Sequence, residues 1–257
     1  MRRDGQVGFS QRIRLEWLEY LSGLMLQGYS NRQITEALND LLRERVSVGG
    51  TGERTTRDKA VTILMRIWAD VPAHLIPFRD DGLHFLQRLP TGDRLAVHWG
   101  MSMAVYPFWG LVAETVGRLL RLQGAAPAAQ VQRRMREQLG ERETVSRATR
   151  RVLRSFIDWD VLQETTRVGV YQAPQPRVIR DCELGAWLVE ATLIAHGATS
   201  GPVRDLLRSP SLFPFTLEHS LVLGGIKGSR LEQMRQGLDE DVVSFRLRSR
   251  SEQRLLG

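Results

Sequence analysis

Residues 146–173 read SRATRRVLRSFIDWDVLQETTRVGVYQA. Arg147, Arg150, Arg151 and Arg154 fall at i, i+3, i+4 and i+7, a spacing that puts all four within about a 100° arc of a 3.6-residue helix. Val145, Ala148, Thr149, Val152 and Phe156 take the opposite arc. The spacing therefore predicts an amphipathic helix, capped by Ser146, with one face of a single sign that no acidic residue interrupts. Like charges at i, i+4 cost roughly 0.2–0.5 kcal/mol per pair, so a helix kept only for solubility would intersperse glutamates. Phosphates supplying the countercharge would make physical sense of the pattern, because each one neutralised releases condensed cations. Phe156, Ile157 and Trp159 then carry the chain into the core. Val161–Thr165 and Val168–Gln172 alternate like two strands about a turn at Thr166 and Arg167. A basic helix followed by a hairpin is the order of a winged helix, in which the helix enters the major groove and the wing contacts flanking backbone. The competing reading is a surface helix beside a hairpin that covers the core.

Working outward toward the N-terminus, Ile13 to Gln27 has Trp17, Leu18, Leu21, Leu24 and Met25 on one helical face. Gly28 ends it, and a second helix restarts at once with Ser30 as cap and Gln33 completing a capping box. Ile34, Ala37, Leu38, Leu41 and Leu42 form its apolar stripe. After the Gly-rich run SVGGTGER a third helix begins near Thr55 or Thr56 and extends to about Ala69. Ala60, Val61, Leu64, Ile67 and Trp68 face inward, Lys59, Thr62 and Arg66 outward, with Arg54 and Arg57 around its start. Three helices in this order make a tri-helical, helix-turn-helix-like unit whose third helix could read DNA. The GGTGERTT loop is not a phosphate loop: Glu53 stands where a Walker lysine is needed, and a helix precedes it instead of a strand.

Residues 71–92 carry Pro72, Pro77, Gly82 and Pro90 and predict at most one short helix. Leu95 to Ala113 holds no Asp, Glu, Lys or Arg and approaches the length of a membrane span. His98, Ser102, Pro107 and two glycines make it a poor one. A buried core helix is expected, long or kinked at Pro107, continuing to Gly124. QGAAPAAQ reads as a loop, and Ala128 to Leu139 as a helix with Arg133, Arg134 and Arg136. Further on, Cys182 to His196 predicts a helix and Val203 to Leu207 a short one. SLFPFTLEHSLVL reads as strand-like, LEQMRQGLDEDVVSF as a short helix and a final strand, and RLRSRSEQR as a mobile basic tail.

The net charge is +7 over 257 residues, with all but Lys59 and Lys227 of the basic side chains arginine. That balance points to anionic partners, nucleic acid first, and arginine's planar fork suits phosphate and guanine edges. A GC-rich genome accounts for the arginine-to-lysine ratio but not for the clustering. A single cysteine, Cys182, excludes a disulfide framework or a cysteine-rich zinc site and suits a reducing cytoplasm. His74, His84, His98, His196 and His219 show no metal-ligand spacing, and GxSxG is absent. Asp80–Asp81 and Asp239–Glu240–Asp241 are the tightest acidic groups, and adjacent carboxylates in loops are usually solvated turn residues. The expectation is a protein without catalytic residues, metal or cofactor.

Three stretches in order, LEYLSGLMLQGYSNRQITEALNDLL with RTTRDKAVTILMRIW, LAVHWGMSMAVYPFWGLVAETVGRLLRL, and TRRVLRSFIDWDVL, give the chain a pattern that resembles the BrxA family of bacteriophage-exclusion (BREX) defence systems over about residues 14–170. The resemblance implies a small helical DNA-binding accessory protein with helix-turn-helix features and no catalytic role. One departure stands out: His98 to Tyr106 carries no charged residue where the family's middle helix usually has several basic ones.

The expected fold is mainly α, a helical bundle with helix-turn-helix and winged-helix-like elements plus a small α+β C-terminal part. Its expected divisions are 1–92, tri-helical; 93–180, helical core with the basic helix and wing; and 181–257, a C-terminal extension. The expected function is non-enzymatic binding of double-stranded DNA within a phage-defence system, in the cytoplasm and with other defence proteins as possible partners. Arg147, Arg150, Arg151 and Arg154 would engage phosphates or base edges, with Arg167 on the wing and Arg57, Lys59 and Arg66 on a second face. The alternatives are a winged-helix transcriptional regulator, or a structural interaction protein whose basic faces dock acidic subunits.

Overall fold

Eleven α-helices and eight short strands follow one another among the described residues of the computed structural model, which are 8–43, 55–236 and 240–246. The Gly-rich run 47–54 with Arg54, Asp239, and the basic tail from 247 lie outside the described residues. The chain is mainly helical with small sheets.

Helices α1 (Leu15–Leu26), α2 (Asn31–Leu42) and α3 (Thr56–Trp68) form first. The box capping α2 is present, with the Ser30 hydroxyl accepting from Gln33 N and Gln33 Oε1 accepting from Ser30 N at 3.0 Å. A second box, which the sequence reading did not specify, starts α3: Thr55 Oγ1 accepts from Asp58 N at 3.1 Å and Asp58 accepts from Thr55 N at 3.0 Å. Where at most a short helix was expected, a 3-10 turn leads into α4 (Ile76–Arg88), thirteen residues long. Pro77 is no obstacle there because it sits in the first turn, where its missing N–H has no intrahelical acceptor to lose.

The apolar segment is two helices and not one: α5 (Thr91–Val105) and α6 (Pro107–Gln123), broken at Tyr106, whose φ of −119° and ψ of 89° leave the helical region. Proline clashes with a helical residue before it and serves well as the first residue of a new helix. From Leu95 to Val105 every residue of α5 is buried, so this stretch is the centre of the core. Among the described residues no single helix is long and apolar enough to cross a membrane. Because α5 starts at Thr91, the 92/93 boundary falls inside a helix. One apolar cluster draws on residues from Phe9 to Phe215.

Next come β1 (Ala126–Pro127), α7 (Ala128–Leu139), α8 (Glu143–Asp158), β2 (Gln163–Glu164) and β3 (Val170–Gln172). The expected loop before α7 thus contains a strand. It pairs Ala126 with Tyr171 and Pro127 with Val170, giving an antiparallel sheet ordered β1-β3-β2. The remainder runs β4 (Arg177–Val178), α9 (Cys182–His196), β5 (Ser200–Pro202), α10 (Val203–Leu207), a 3-10 turn, β6 (Phe215–Thr216), α11 (His219–Ile226), β7 (Leu231–Gln236) and β8 (Glu240–Phe245). Two expectations fail in this part. The strand-like run keeps only Phe215–Thr216 as a strand and ends inside α11. The short helix expected at LEQMRQ is β7, paired along its length with β8. LEQMRQ has good helix formers, but six paired residues override intrinsic propensities of a few tenths of a kcal/mol each.

The third sheet is ordered β5-β8-β7. With a 3-10 turn and β6 inserted after α10, the order α9, β5, α10, α11, β7, β8 parallels α6, β1, α7, α8, β2, β3, and both sheets put the last strand in the middle. The repeat has its own small core of Ala186, Val189, Leu193, Val203, Leu206, Val222, Ile226, Leu231 and Val243. Helix α9 serves both cores, since its Leu184, Trp187, Leu188 and Ala191 belong to the main cluster. Trp187 stacks on Phe78 with 4.2 Å between ring centres and donates to Phe78 O at 3.1 Å.

Candidate nucleic-acid interface

Helix α8 is anchored by its buried side. Val145, Ala148, Thr149, Val152, Leu153 and Phe156 are all buried, as the opposite-arc reading expected. Phe156 joins an aromatic cluster, 4.8 Å from Trp109 and 4.9 Å from Trp99 between ring centres. Trp159, just past the helix, packs 4.7 Å from Trp109 and donates to Ile13 O at 3.0 Å. Ser155 Oγ accepts from Ile13 N at 2.8 Å, and Arg12 pairs with Asp158. The segment leading into α1 thereby fixes the far end of the basic helix.

The start of α8 differs from expectation. Its N-cap is Arg142 and its first residue Glu143, so Ser146 lies within the first turn and accepts from Arg136 Nη1 at 3.3 Å. The extra turn changes the charge pattern. Glu143 is four residues before Arg147, on the same arc, and accepts from it at 2.6 Å. The hydrogen bond from Arg147 holds the Glu143 carboxyl below its ordinary range. Glu164 of β2 reaches across to Arg154 at 3.3 Å. An acidic residue does interrupt the face, and a second approaches it from the hairpin. Both pairs are exposed, where ion pairs contribute little to stability, so a stronger polyanion can replace either carboxylate. Among the described residues Arg150 and Arg151 have no carboxylate at ion-pair distance. Four arginines thus share two carboxylates and line an open concavity of about 380 Å³.

The neighbouring helix supplies a contrast. On α7, Arg133 and Arg134 both lie within 3.5 Å of Glu137, and Arg136 lies 3.2 Å from Glu141. That is the mixed-sign pattern of a solvated face, and α8 departs from it.

The hairpin falls where expected, with Gln163 opposite Gln172 and Glu164 opposite Tyr171, though its strands are shorter and its turn longer than the sequence suggests. Arg167 is exposed at its tip and next to Val168, which is 96% exposed. The second basic group lies elsewhere. Lys59 and Arg66 are exposed on α3 and Arg57 is half-buried at its start, with the Arg66 guanidinium 6.0 Å from the Tyr106 ring centre. Helix α3 packs on α1, α2 and α5, whereas α8 packs on α6 and α7. The structure therefore puts Arg147, Arg150, Arg151 and Arg154 on α8, ties the hairpin that carries Arg167 to that helix through Arg154 and Glu164, and leaves Arg57, Lys59 and Arg66 on α3, a helix with different packing partners.

Several of the remaining chemistry-bearing residues are tied into the framework. Asp80 pairs with Arg79 at 2.7 Å, and Asp81 with Arg230 at 2.6 Å. Asp241 accepts from Gln233 at 2.8 Å and lies 3.7 Å from His219. His98 is buried, accepts from Trp68 Nε1 at 3.1 Å through Nδ1, and has Nε2 3.2 Å from Glu19 Oε1, close enough for an ion pair but poorly aligned for a hydrogen bond. Among the described residues no three His, Cys, Asp or Glu side chains form a metal-sized group. No family model, curated protein or solved structure matches the chain.

Proposed function

We propose that the protein binds double-stranded DNA without catalysing a reaction, with α8 as the helix presented to the duplex and the β2–β3 hairpin as its wing. One observation carries this reading: a rigid helix whose outward face holds four arginines, two of them without an ion-paired carboxylate, in the third-helix position of an α-β-α-α-β-β unit. That succession, with a sheet ordered first-third-second, is the one expected of a winged helix, and it supports reading α7 and α8 as the helix-turn-helix. The resemblance to the BrxA pattern supports placing the binding within a phage-exclusion system as an accessory role, and the tri-helical face of Lys59, Arg66 and Arg57 would then be a second contact. The repeated unit at the C-terminus has no lysine or arginine within α11, so duplex binding is assigned to the first unit.

The test is a titration with random-sequence duplex at several salt concentrations, alongside an Arg150→Ala/Arg151→Ala variant. Expected is a steep fall of affinity with salt, with the slope reduced by about 2 in the variant, near 0.9 for each phosphate no longer neutralised. Unchanged affinity in a folded variant would overturn the assignment to α8. A regulator would instead bind one operator on the order of 10³-fold or more above random duplex. The docking alternative is favoured by Glu143 and Glu164, since carboxylates already satisfy part of this face. It predicts no duplex shift at any salt.

A further inference from the structure

We propose that Arg121 and Arg208 form a second anion site, where the segment after α10 crosses α6, and that its ligand is a phosphomonoester dianion. The group can come from a small phosphorylated compound or from the 5′ end of a nucleic-acid strand. The site is separate from α8 and does not depend on duplex binding.

The crossing is held firmly. At Arg208 the chain leaves the small core of Val203 and Leu206 and passes to the main cluster at Leu212 and Phe215. The 3-10 turn Pro210–Leu212 lies directly on α6, where a Cβ at Gly117 would overlap the Pro210 carbonyl. Trp99 Nε1 donates to Ser211 O at 3.0 Å, and the buried hydroxyls of Ser209 and Ser211 are 2.8 Å apart. Arg121 is one turn beyond Gly117 on the same side of α6, and Arg208 is two residues before Pro210. Neither of the two parallel units contains this crossing by itself, since α6 belongs to the first and α10 to the second.

Two guanidinium groups thus approach each other without a countercharge. Both side chains are exposed. Among the described residues neither has a carboxylate at ion-pair distance or a carbonyl in hydrogen-bonding reach, and Asp205 of α10 pairs with neither. Arg118, one turn back on α6, differs because Glu114 already neutralises it. Desolvation holds the Arg121 guanidinium below its ordinary range, and the charge of Arg208 lowers it further. A helix C-terminus favours a nearby cation, which accounts for one arginine at the end of each helix but not for their approach. Like charges kept together by packed backbone are relieved when an anion enters between them.

Charge and geometry select the anion. Each guanidinium fork binds two oxygens in parallel, and the pair carries two positive charges. A phosphomonoester brings about −2 at neutral pH and three free oxygens, so it balances both. A phosphodiester or a carboxylate brings one charge and leaves one guanidinium unbalanced. Arg204 adds a third exposed cation beside them, one turn before Arg208, whose N donates to Arg204 O at 3.2 Å.

The experiment titrates the full chain by calorimetry with methyl phosphate and with dimethyl phosphate, then with 5′-phosphorylated and 5′-hydroxyl forms of one short single strand. Expected is a margin of about tenfold or more for methyl over dimethyl phosphate if a small compound is the source. If a strand end is the source, the same margin separates the two strands. Arg121→Ala and Arg208→Ala should each abolish the margin, and Arg208→Lys should reduce it less, keeping the charge but not the fork. Arg150→Ala/Arg151→Ala should retain it. Without ligand, Arg208→Ala should leave the unfolding midpoint unchanged or higher, because a repulsion is removed, so a lost margin is not a loss of fold. No margin in either pair of probes would overturn the inference. So would a margin that disappears in Arg150→Ala/Arg151→Ala and survives in Arg121→Ala and Arg208→Ala. Absence of duplex binding would overturn the reading of α8 and leave this site standing.

Discussion

Arg147 and Arg151 are separated by one helical turn and differ in what surrounds them. Arg147 already has Glu143 at 2.6 Å, and Arg151 has no carboxylate at ion-pair distance among the described residues. The two should respond differently to substitution. Removing the competitor, as Glu143→Gln, should tighten duplex binding a few-fold, the range an exposed ion pair commands, and steepen its salt dependence. Arg151→Ala should weaken binding and flatten that dependence by about 1. A salt series on the two variants checks both directions. Buried residues follow other rules. Burial raises the Glu19 carboxyl, but His98 and Arg94 outweigh it, so the folded value lies below the ordinary 4.5. A depressed carboxyl stabilises the fold above the unfolded value, and the contribution is lost as pH falls through the depressed one. Burial raises Glu190 despite Arg230, so its contribution has the opposite sign and is lost as pH rises through the raised value. Urea unfolding below about pH 4.5 should therefore lose less stability with falling pH in Glu19→Gln than in the parent.

The elements behind the aromatic cluster that Phe156 of α8 joins approach very closely. Gly100 of α5 faces the Trp187 ring of α9, and a Cβ there would overlap the indole. Gly100→Ala should destabilise by roughly 1–3 kcal/mol, the usual cost of overpacking a full core, measured as a drop in urea midpoint with little change in slope. At the other extreme, Ser30→Ala removes one side of the α2 capping box on an exposed surface and should cost about 0.5–2 kcal/mol. The first change acts where α5 and α9 meet behind the aromatic cluster. The second acts far from α8 and should leave duplex affinity untouched. Most of these helices are legible in the sequence, since apolar side chains at i, i+3, i+4 and i+7 report their own buried face. The two-residue strands are not, because Ala126–Pro127 is a strand only by virtue of Tyr171 and Val170.

Two units with a parallel order of elements, the second with a 3-10 turn and β6 inserted, share one molecule and differ in charge. The third helix of the first carries Arg147, Arg150, Arg151 and Arg154. That of the second, HSLVLGGI, carries no arginine, and its His219 lies 3.7 Å from Asp241 on the hairpin beside it. With no arginine or lysine on that helix, a phosphate would find no cationic partner along it. Saturation should therefore come at one duplex per chain, and Ser220→Ala should leave both affinity and salt slope unchanged. Stoichiometric titration and a salt series check this. Adding basic residues at exposed positions of α11, such as Ser220→Arg, should raise non-specific affinity only if that helix also faces the duplex.

The sequence by itself determined the helices, their buried faces and the clustering of arginine on one of them, because these depend on residues a turn or two apart. It also contained Glu143 at the i−4 position from Arg147, a partner visible in the spacing once α8 is extended by one turn. Only the tertiary structure decided the strand at LEQMRQ, the reach of Glu164 to Arg154 and the repeated sheet order. Each of these depends on strands and side chains that meet only when the chain folds back on itself. Pairing free energy of that kind exists only after the core has closed, so no local pattern records it.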